Sequence, residues 1–312
     1  MIPVVDCRHN VRSAKKPIVE ALRDVGFVYL RNYGISPKEV ADMFALADQF
    51  WSQPQEVKEF YARGTDFEEK GTTGYIAPNV ERLSQSKTGI ELREAYNYCP
   101  ETDKTVLTPK IPTKEIPDFG FITSRFFHHC HGVVMELLRI LAESQAQDRE
   151  FFTTLHGKMT KSGNSSTLRL FNYPPVDDDQ LSAIEGGENG CSSATRCAAH
   201  TDYGSLTLLF QDNVGGLEVR AGRTGAFQPA EPLADAVLVN MGDLMEVWTA
   251  GQWKAVEHRV LLDAKRLGLR RRSIAFFAHP DDDCLVTPLR ASTAYAPVNA
   301  RQHLVDMFNK TY

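Results

Sequence analysis

The sequence predicts an α+β fold: a double-stranded β-helix (jelly-roll) core with flanking N-terminal helices and a C-terminal helix. Two observations lead there. From Thr167 onward, many short apolar runs follow one another at steady spacing, joined by Gly-rich turns, which is the pattern of two packed antiparallel sheets. Ahead of them, apolar residues recur at helical spacing in several stretches. A sandwich of this kind needs cover on one face, so residues 1–150 are expected to cover the jelly roll and supply substrate loops. Residues 151–312 form the jelly roll itself, and the two segments make one integrated unit.

In chain order, Ile2 to Asp6 reads as a short strand. Ile18, Ala21, Leu22 and Val25 mark a first amphipathic helix ending at Gly26, and Phe27-Val28-Tyr29-Leu30 is a second strand. Ser36 is placed to cap the next helix, with Pro37 at its first position and Glu39 in its first turn. Val40, Met43, Phe44, Ala47 and Phe50 share one face of it. From Gly64 to Lys114 the pattern weakens, leaving short segments at Gly74-Tyr75-Ile76 and Glu94-Ala95-Tyr96-Asn97-Tyr98. Such a long irregular region is expected to be part of the substrate wall; surface loops with a few anchoring tyrosines are the alternative. A long helix then runs from near Asp118 to Gln145, with Ile122, Phe126, Cys130, Val133, Leu137 and Leu141 on its buried stripe. His128, His129 and His131 on this helix point in different directions, so they do not converge on one ion and are read as structural.

In the second half, Thr167 to Tyr173 is a strand ended by Pro174-Pro175. Asp177 to Cys197 is a polar loop that delivers the chain to Ala199-His200. Ser205 to Phe210 is the next strand, with Gly215-Gly216 expected as a hairpin turn and Leu217-Glu218-Val219 as its return. Val237 to Asn240 leads to a turn at Gly242-Asp243, and after Trp248 and Trp253 comes His258, opening the run Val260-Leu261-Leu262. Ser273 to Ala278 is a strand, and Pro297 to Phe308 closes the chain as a helix.

Composition narrows the function. The 312 residues carry a net charge of −5 with a pI near 6.0, and no basic run marks a nucleic-acid or anionic-membrane partner. Six cysteines lack C-x-x-C spacing, which argues against a zinc cluster or a disulfide framework and for thiols in a reducing compartment. Cys191 and Cys197 share one loop and could pair in a secreted protein. No signal-like or membrane-spanning stretch is evident, so a cytoplasmic monomer acting on a small molecule is expected.

The stretch richest in chemistry is His200-Thr201-Asp202. Two residues apart on an extended segment, the imidazole and the carboxylate point the same way. His258, at the head of a later strand, would complete a 2-His-1-carboxylate set with open coordination positions, the arrangement of non-haem Fe(II) oxygenases. An isolated H-x-D is common by chance, and a lone His before a strand is more often structural; the joint occurrence at strand ends is what points to metal. Arg271 and Ser273 share one face at the head of their strand and form a fork for a carboxylate. Phe277 is in phase with them and should point into the barrel.

With these motifs the chain resembles the Fe(II)/2-oxoglutarate-dependent dioxygenases of the isopenicillin N synthase-like branch, from Ile2-Pro3-Val4-Val5-Asp6 to Thr311-Tyr312. The resemblance implies Fe(II) held by His200, Asp202 and His258, and 2-oxoglutarate whose far carboxylate meets Arg271 and Ser273. It adds Tyr173 of the N-Y-P segment to that group. It implies O2 as oxidant, ascorbate as an activator, and hydroxylation, desaturation or ring closure at a substrate C–H bond in natural-product or amino-acid-derived metabolism, with release of succinate and CO2. Tyr75, Arg93, Tyr96, Tyr98 and Phe277 are the candidate substrate contacts. Against the family pattern, Thr249-Ala250-Gly251 replaces Ser-Asn-Gly, Ala255 follows Lys254 where Ser is usual, and the Asp177–Arg196 insert is longer and could act as a lid. The alternatives are an iron oxidase of the same superfamily that uses no 2-oxoglutarate, and a non-catalytic jelly-roll binding protein.

Overall fold

In the computed structural model, which describes residues 1–63, 73–81, 92–100, 110–176, 195–222, 225–262 and 266–311, the strands pair into two facing sheets. The strands of the main sheet are β1 (Val4–Asp6), β2 (Phe27–Arg31), β3 (Gly74–Ile76), β4 (Glu94–Tyr98), β5 (Thr167–Tyr173), β7 (Leu206–Gln211), β10 (Ala236–Met241) and β12 (Arg271–Ala278). Among the described residues their order is β1-β2-β10-β7-β12-β5-β4-β3, with β1 and β2 parallel and every other neighbouring pair antiparallel. Opposite lie β6 (Thr195–His200), β11 (His258–Leu261), β8 (Leu217–Arg220) and β9 (Phe227–Pro229), in that order. A small pair, β13 (Leu285–Val286) and β14 (Val298–Asn299), precedes the C-terminal helix.

Alternation along the main strands separates two apolar cores. Leu168, Leu170, Leu208, Phe210, Ile274 and Phe276 face the helices, whereas Phe171, Tyr173, Leu238 and Ala275 face the smaller sheet and meet Leu217, Val219 and Val260. Among the described residues the α-helices are α1 (Lys15–Asp24), α2 (Pro37–Trp51), α3 (Gln55–Phe60), α4 (Phe119–Ser144), α5 (Phe151–Thr154), α6 (Asp243–Trp248) and α7 (Ala300–Thr311). On α4, Phe126 packs on Phe210 and Phe127 on Phe276, with ring centroids 5.2 and 4.8 Å apart. Each buried ring of this size contributes roughly 2–3 kcal/mol. α2 starts with the expected cap: Glu39 N–H donates to Ser36 Oγ, and Glu39 Oε2 accepts from the Ser36 N–H. His128 and His129 are exposed, the first bonded to Ser124 O and the second beside Glu39, as the helical geometry implied.

Four local expectations are corrected. Gly215-Gly216 is not a hairpin turn, because β7 lies in the main sheet and β8 in the smaller one. With φ of 79° and 90°, the two glycines carry the chain across between sheets, in a conformation that costs other residues strain. Gly74–Ile76 and Glu94–Tyr98 are not part of a loop; they are the outer strands of the main sheet beyond β5, so residues 1–150 supply β1 to β4. Gly242-Asp243 is not a plain turn but the start of α6. The C-terminal helix begins at Ala300, after β14. The insert at Asp177, up to residue 194, with Cys191, lies outside the described residues. No described helix is long and apolar enough to cross a membrane.

Candidate metal centre and active-site cavity

β6 and β11 run antiparallel with His200 directly opposite His258, so strand pairing joins two imidazoles far apart in sequence. Their ring centroids lie 4.4 Å apart. Asp202, just past the end of β6, brings Oδ1 to 3.7 Å from His258 Nε2. One ligand-capable atom from each of His200, Asp202 and His258 lies within 4.8 Å of the other two.

The remaining atoms of these side chains are held back by the protein. Nδ1 of His200 sits 2.9 Å from Ala198 O, and Nδ1 of His258 3.1 Å from Val256 O. A carbonyl only accepts, so each Nδ1 carries the proton and each Nε2 keeps its lone pair. Asp202 Oδ2 accepts from Thr207 Oγ1 and Asn240 Nδ2, each at 2.6 Å, and those donors are paired across β7 and β10. Hydrogen bonds to a charged acceptor contribute about 1.5–3 kcal/mol each. Burial alone would raise the Asp202 pKa; the fields of His258 and His200, with the Asn240 and Thr207 hydrogen bonds, more than offset it and hold the carboxyl below its usual range. Burial, and then His200, pushes the His258 pKa down. A carboxylate and two neutral imidazoles are the protonation states a divalent metal requires, so the residues fit one.

Further along the inner face of the main sheet, Arg271 is almost fully buried. Its Nε donates to Gly215 O at 3.0 Å, its Nη2 to Gln211 Oε1 at 3.0 Å and its Nη1 to Ser273 Oγ at 3.3 Å, and the Tyr173 ring lies 4.8 Å away. Gln211 and Ser273 are cross-strand partners, as are Arg271 and Tyr173. Every one of these partners is neutral. A buried cation left without a counter-charge costs about 3–5 kcal/mol, so this group fits the carboxylate of an anionic ligand.

A cavity of about 730 Å³, counted with its open mouth, adjoins His200 and Asp202. Arg93 and Phe277 line it; Tyr75, Tyr96 and Tyr98 do not. On β4, Glu94, Tyr96 and Tyr98 face the helices and Ala95 and Asn97 face the barrel, as does Arg93 just before the strand, so the tyrosines and Arg93 do not share a wall. Tyr96 packs on Phe50 and Phe119 and donates to Lys110 O, while Tyr98 meets Phe127. Tyr75 donates to Glu94, which also accepts from Lys58 and Asn172 in a buried network on the helix side. Sequence reasoning missed Asn97, Arg169 and His279 on the cavity wall, each in strand phase with a residue it had placed inward: Arg93, Tyr173 and Phe277. It also missed Leu304 and Phe308, one helical turn apart on α7.

Comparison with known proteins agrees with this geometry. Residues 164–280 match the model of the 2OG-Fe(II) oxygenase superfamily, and residues 2–118 that of the non-haem dioxygenase in morphine synthesis N-terminal family. The 2-oxoglutarate-Fe(II) type oxidoreductase ppzD of Metarhizium rileyi (strain RCEF 4871) is 32% identical over 95% of this chain and 85% of its own. The proline hydroxylase buaE of Petromyces alliaceus is 33% identical, over 87% and 82%. A full-length Neurospora crassa protein solved with alpha-KG and thymine superposes with a TM-score of 0.83 at 27% identity, covering 100% of this chain and 97% of that one. With a relative of this identity along nearly its whole length, a matching family model over the jelly roll and two imidazoles set against one carboxylate, the chain belongs to the 2OG-Fe(II) oxygenase superfamily.

Proposed function

We propose that His200, Asp202 and His258 hold Fe(II), that Arg271, Ser273 and Tyr173 receive the far carboxylate of 2-oxoglutarate, and that the protein oxidises a C–H bond of a small molecule with O2. The observation that carries this reading is the convergence of three ligand atoms within 4.8 Å while the opposite atoms of all three side chains are hydrogen-bonded away. When bound, the ferrous ion supplies dioxygen activation, with the 2-oxo acid as reductant and succinate and CO2 as its products. The side chains do the rest. Thr207 and Asn240 aim Asp202, the two backbone carbonyls aim the imidazoles, and Arg271 neutralises and orients the co-substrate. Phe171, Phe277 and Phe308 keep water from the C–H bond being attacked.

The alpha-KG bound by the Neurospora crassa relative supports this co-substrate over an oxidase that uses none. Ascorbate acts as an activator on this reading, and the substrate is a natural product or amino-acid derivative. The proline hydroxylase among the relatives supports that class. Residues 1–150 serve as cover and as part of the substrate wall, which Arg63, Glu81, Arg93 and Asn97 support by lining the cavity; residues 151–312 carry both the metal and co-substrate sites. The protein works as a cytoplasmic monomer.

Anaerobic addition of Fe(II) and 2-oxoglutarate is expected to give a weak visible charge-transfer band. His200→Ala and His258→Ala should abolish the band, tight iron uptake and succinate release while keeping the far-ultraviolet circular dichroism. Wild-type iron content and turnover in either variant would overturn the ligand assignment.

A further inference from the structure

His279 lines the cavity beside the candidate iron ligands, and the reaction steps derived above leave its imidazole without a role. It stands two residues beyond Phe277, just past the end of β12 and on the same inward face. Its backbone is pinned from both sides: the N–H donates to Ser166 Oγ at 2.9 Å, and the carbonyl accepts from Asn164 Nδ2 at 2.9 Å and from Ser166 Oγ at 3.3 Å. The ring packs against Gly204, two residues after Asp202. A Cβ there would come within 3.1 Å of its Cε1 and 3.2 Å of its Nδ1, so a side chain at 204 would crowd the imidazole.

Among the described residues every hydrogen bond of His279 runs through its backbone, and none reaches either ring nitrogen, although the residue is only 7% exposed. Neither nitrogen is one of the partnerless polar atoms shut off from water, so the ring's remaining exposure opens on the cavity. Nearby polar side chains of the wall are engaged with the protein: Glu81 with Arg63, Arg93 and Arg169, Ser165 with Asp282, and Thr167 with the Ser165 carbonyl. Folded proteins keep few buried polar groups without a protein partner, and a ligand that displaces water from such a group must replace its hydrogen bonds. Burial, aided by His303 and His156 and opposed by Asp202, pushes the His279 pKa down from 6.5 to about 4. The ring is therefore neutral at physiological pH and offers one N–H and one lone pair, which suits an uncharged group and gives a carboxylate no counter-charge.

We propose that His279 sets substrate specificity: it holds an uncharged group that can both donate and accept, a hydroxyl or a secondary amide, while the apolar body of the substrate lies on Phe277, Leu304 and Phe308. Anchored there, beside the loop that carries His200 and Asp202, that group fixes which C–H bond faces the iron. This rests on the iron and 2-oxoglutarate reading above and adds to it the chemistry of the substrate's polar end.

The test is calorimetric titration of the anaerobic Fe(II)–2-oxoglutarate protein with two bicyclic probes, indanol and the lactam dihydroquinolinone, each beside its methyl-capped form, and with indane carboxylate. At least one uncapped probe should bind about fivefold or more tightly than its capped form and than the carboxylate, the scale of one neutral hydrogen bond. A preference for the alcohol identifies the hydroxyl, and one for the lactam the amide. His279→Phe, which keeps a ring without its nitrogens, should erase the preference, and His279→Asn, which keeps an uncharged donor and acceptor, should restore part of it. Both variants should keep the visible charge-transfer band. A band missing from the wild type speaks against the iron site, whereas a band without any preference speaks against His279. The proposal is overturned if capped and uncapped probes bind alike, if no uncapped probe binds below about 10 mM, if the carboxylate binds more tightly than both, or if His279→Phe retains the wild-type preference.

Discussion

Asp202 owes its aim to two residues that do not join the candidate ligand set. Thr207 and Asn240 each donate to Oδ2 at 2.6 Å, leaving Oδ1 turned to His258. Removing one of them frees the carboxylate to rotate without changing its charge. Asn240→Ala is expected to lower iron affinity by roughly 10–100-fold, the usual effect of losing an outer partner of a ligand. Competition with a coloured ferrous chelator would measure it, and an unchanged affinity would mean that Thr207 alone orients the group. The candidate pair His200 and Asp202 was legible in the sequence because H-x-D needs only the two-residue repeat of an extended chain. Asn240 and Thr207 were not legible as partners, since nothing in either segment says that β10 and β7 lie side by side.

At the scale of elements, the turn after α6 shows what a family departure does to backbone energy. Ala250 and Gly251 have φ of 50° and 78°, both in the left-handed region. A Cβ on Gly251 would sit 2.5 Å from Tyr295 Oη, so that side-chain tip would have to move to admit one. Ala250 occupies the place where the family pattern has Asn, a residue that enters this conformation more readily than Ala. Ala250→Asn is therefore expected to stabilise the protein by about 1 kcal/mol, seen as a higher urea midpoint with unchanged iron uptake. A midpoint equal to or below wild type would show that the turn carries no such strain. Strand phase was the other signal at this scale: it separates Arg93 and Asn97 from Tyr96 and Tyr98, yet the sequence does not say which set faces the barrel.

Across the whole molecule, stability should depend on pH through a histidine outside the site. His156, fully buried beside α5, has Nδ1 2.6 Å from Phe152 O and Nε2 2.8 Å from Ser205 Oγ, and burial pushes its pKa down from 6.5 to about 4. The unfolded chain takes up a proton below about 6.5, while the folded protein resists it until about 4. His156 thus contributes its full stability above pH 6.5 and loses it progressively as the pH falls toward 4, by about 3 kcal/mol in all. Urea unfolding across that window should show a falling midpoint in the wild type. The fall should be shallower by up to one proton in His156→Gln, and an identical slope would exclude His156 as the source.

The amino-acid order by itself determined α1, α2, α4 and most of α7, the cap at Ser36, the phase within the strands it marks and the short motifs H-x-D and R-x-S, because each is set by neighbours within one turn or one strand. The tertiary structure alone decided that Gly215-Gly216 crosses between sheets, that Tyr75, Tyr96 and Tyr98 turn to the helices, and that Glu81 draws Arg63, Arg93 and Arg169 to one cavity wall. Those outcomes depend on which strands pair and which face meets a second layer. Alternation states which residues share a side, and only the packed neighbour makes that side the inside.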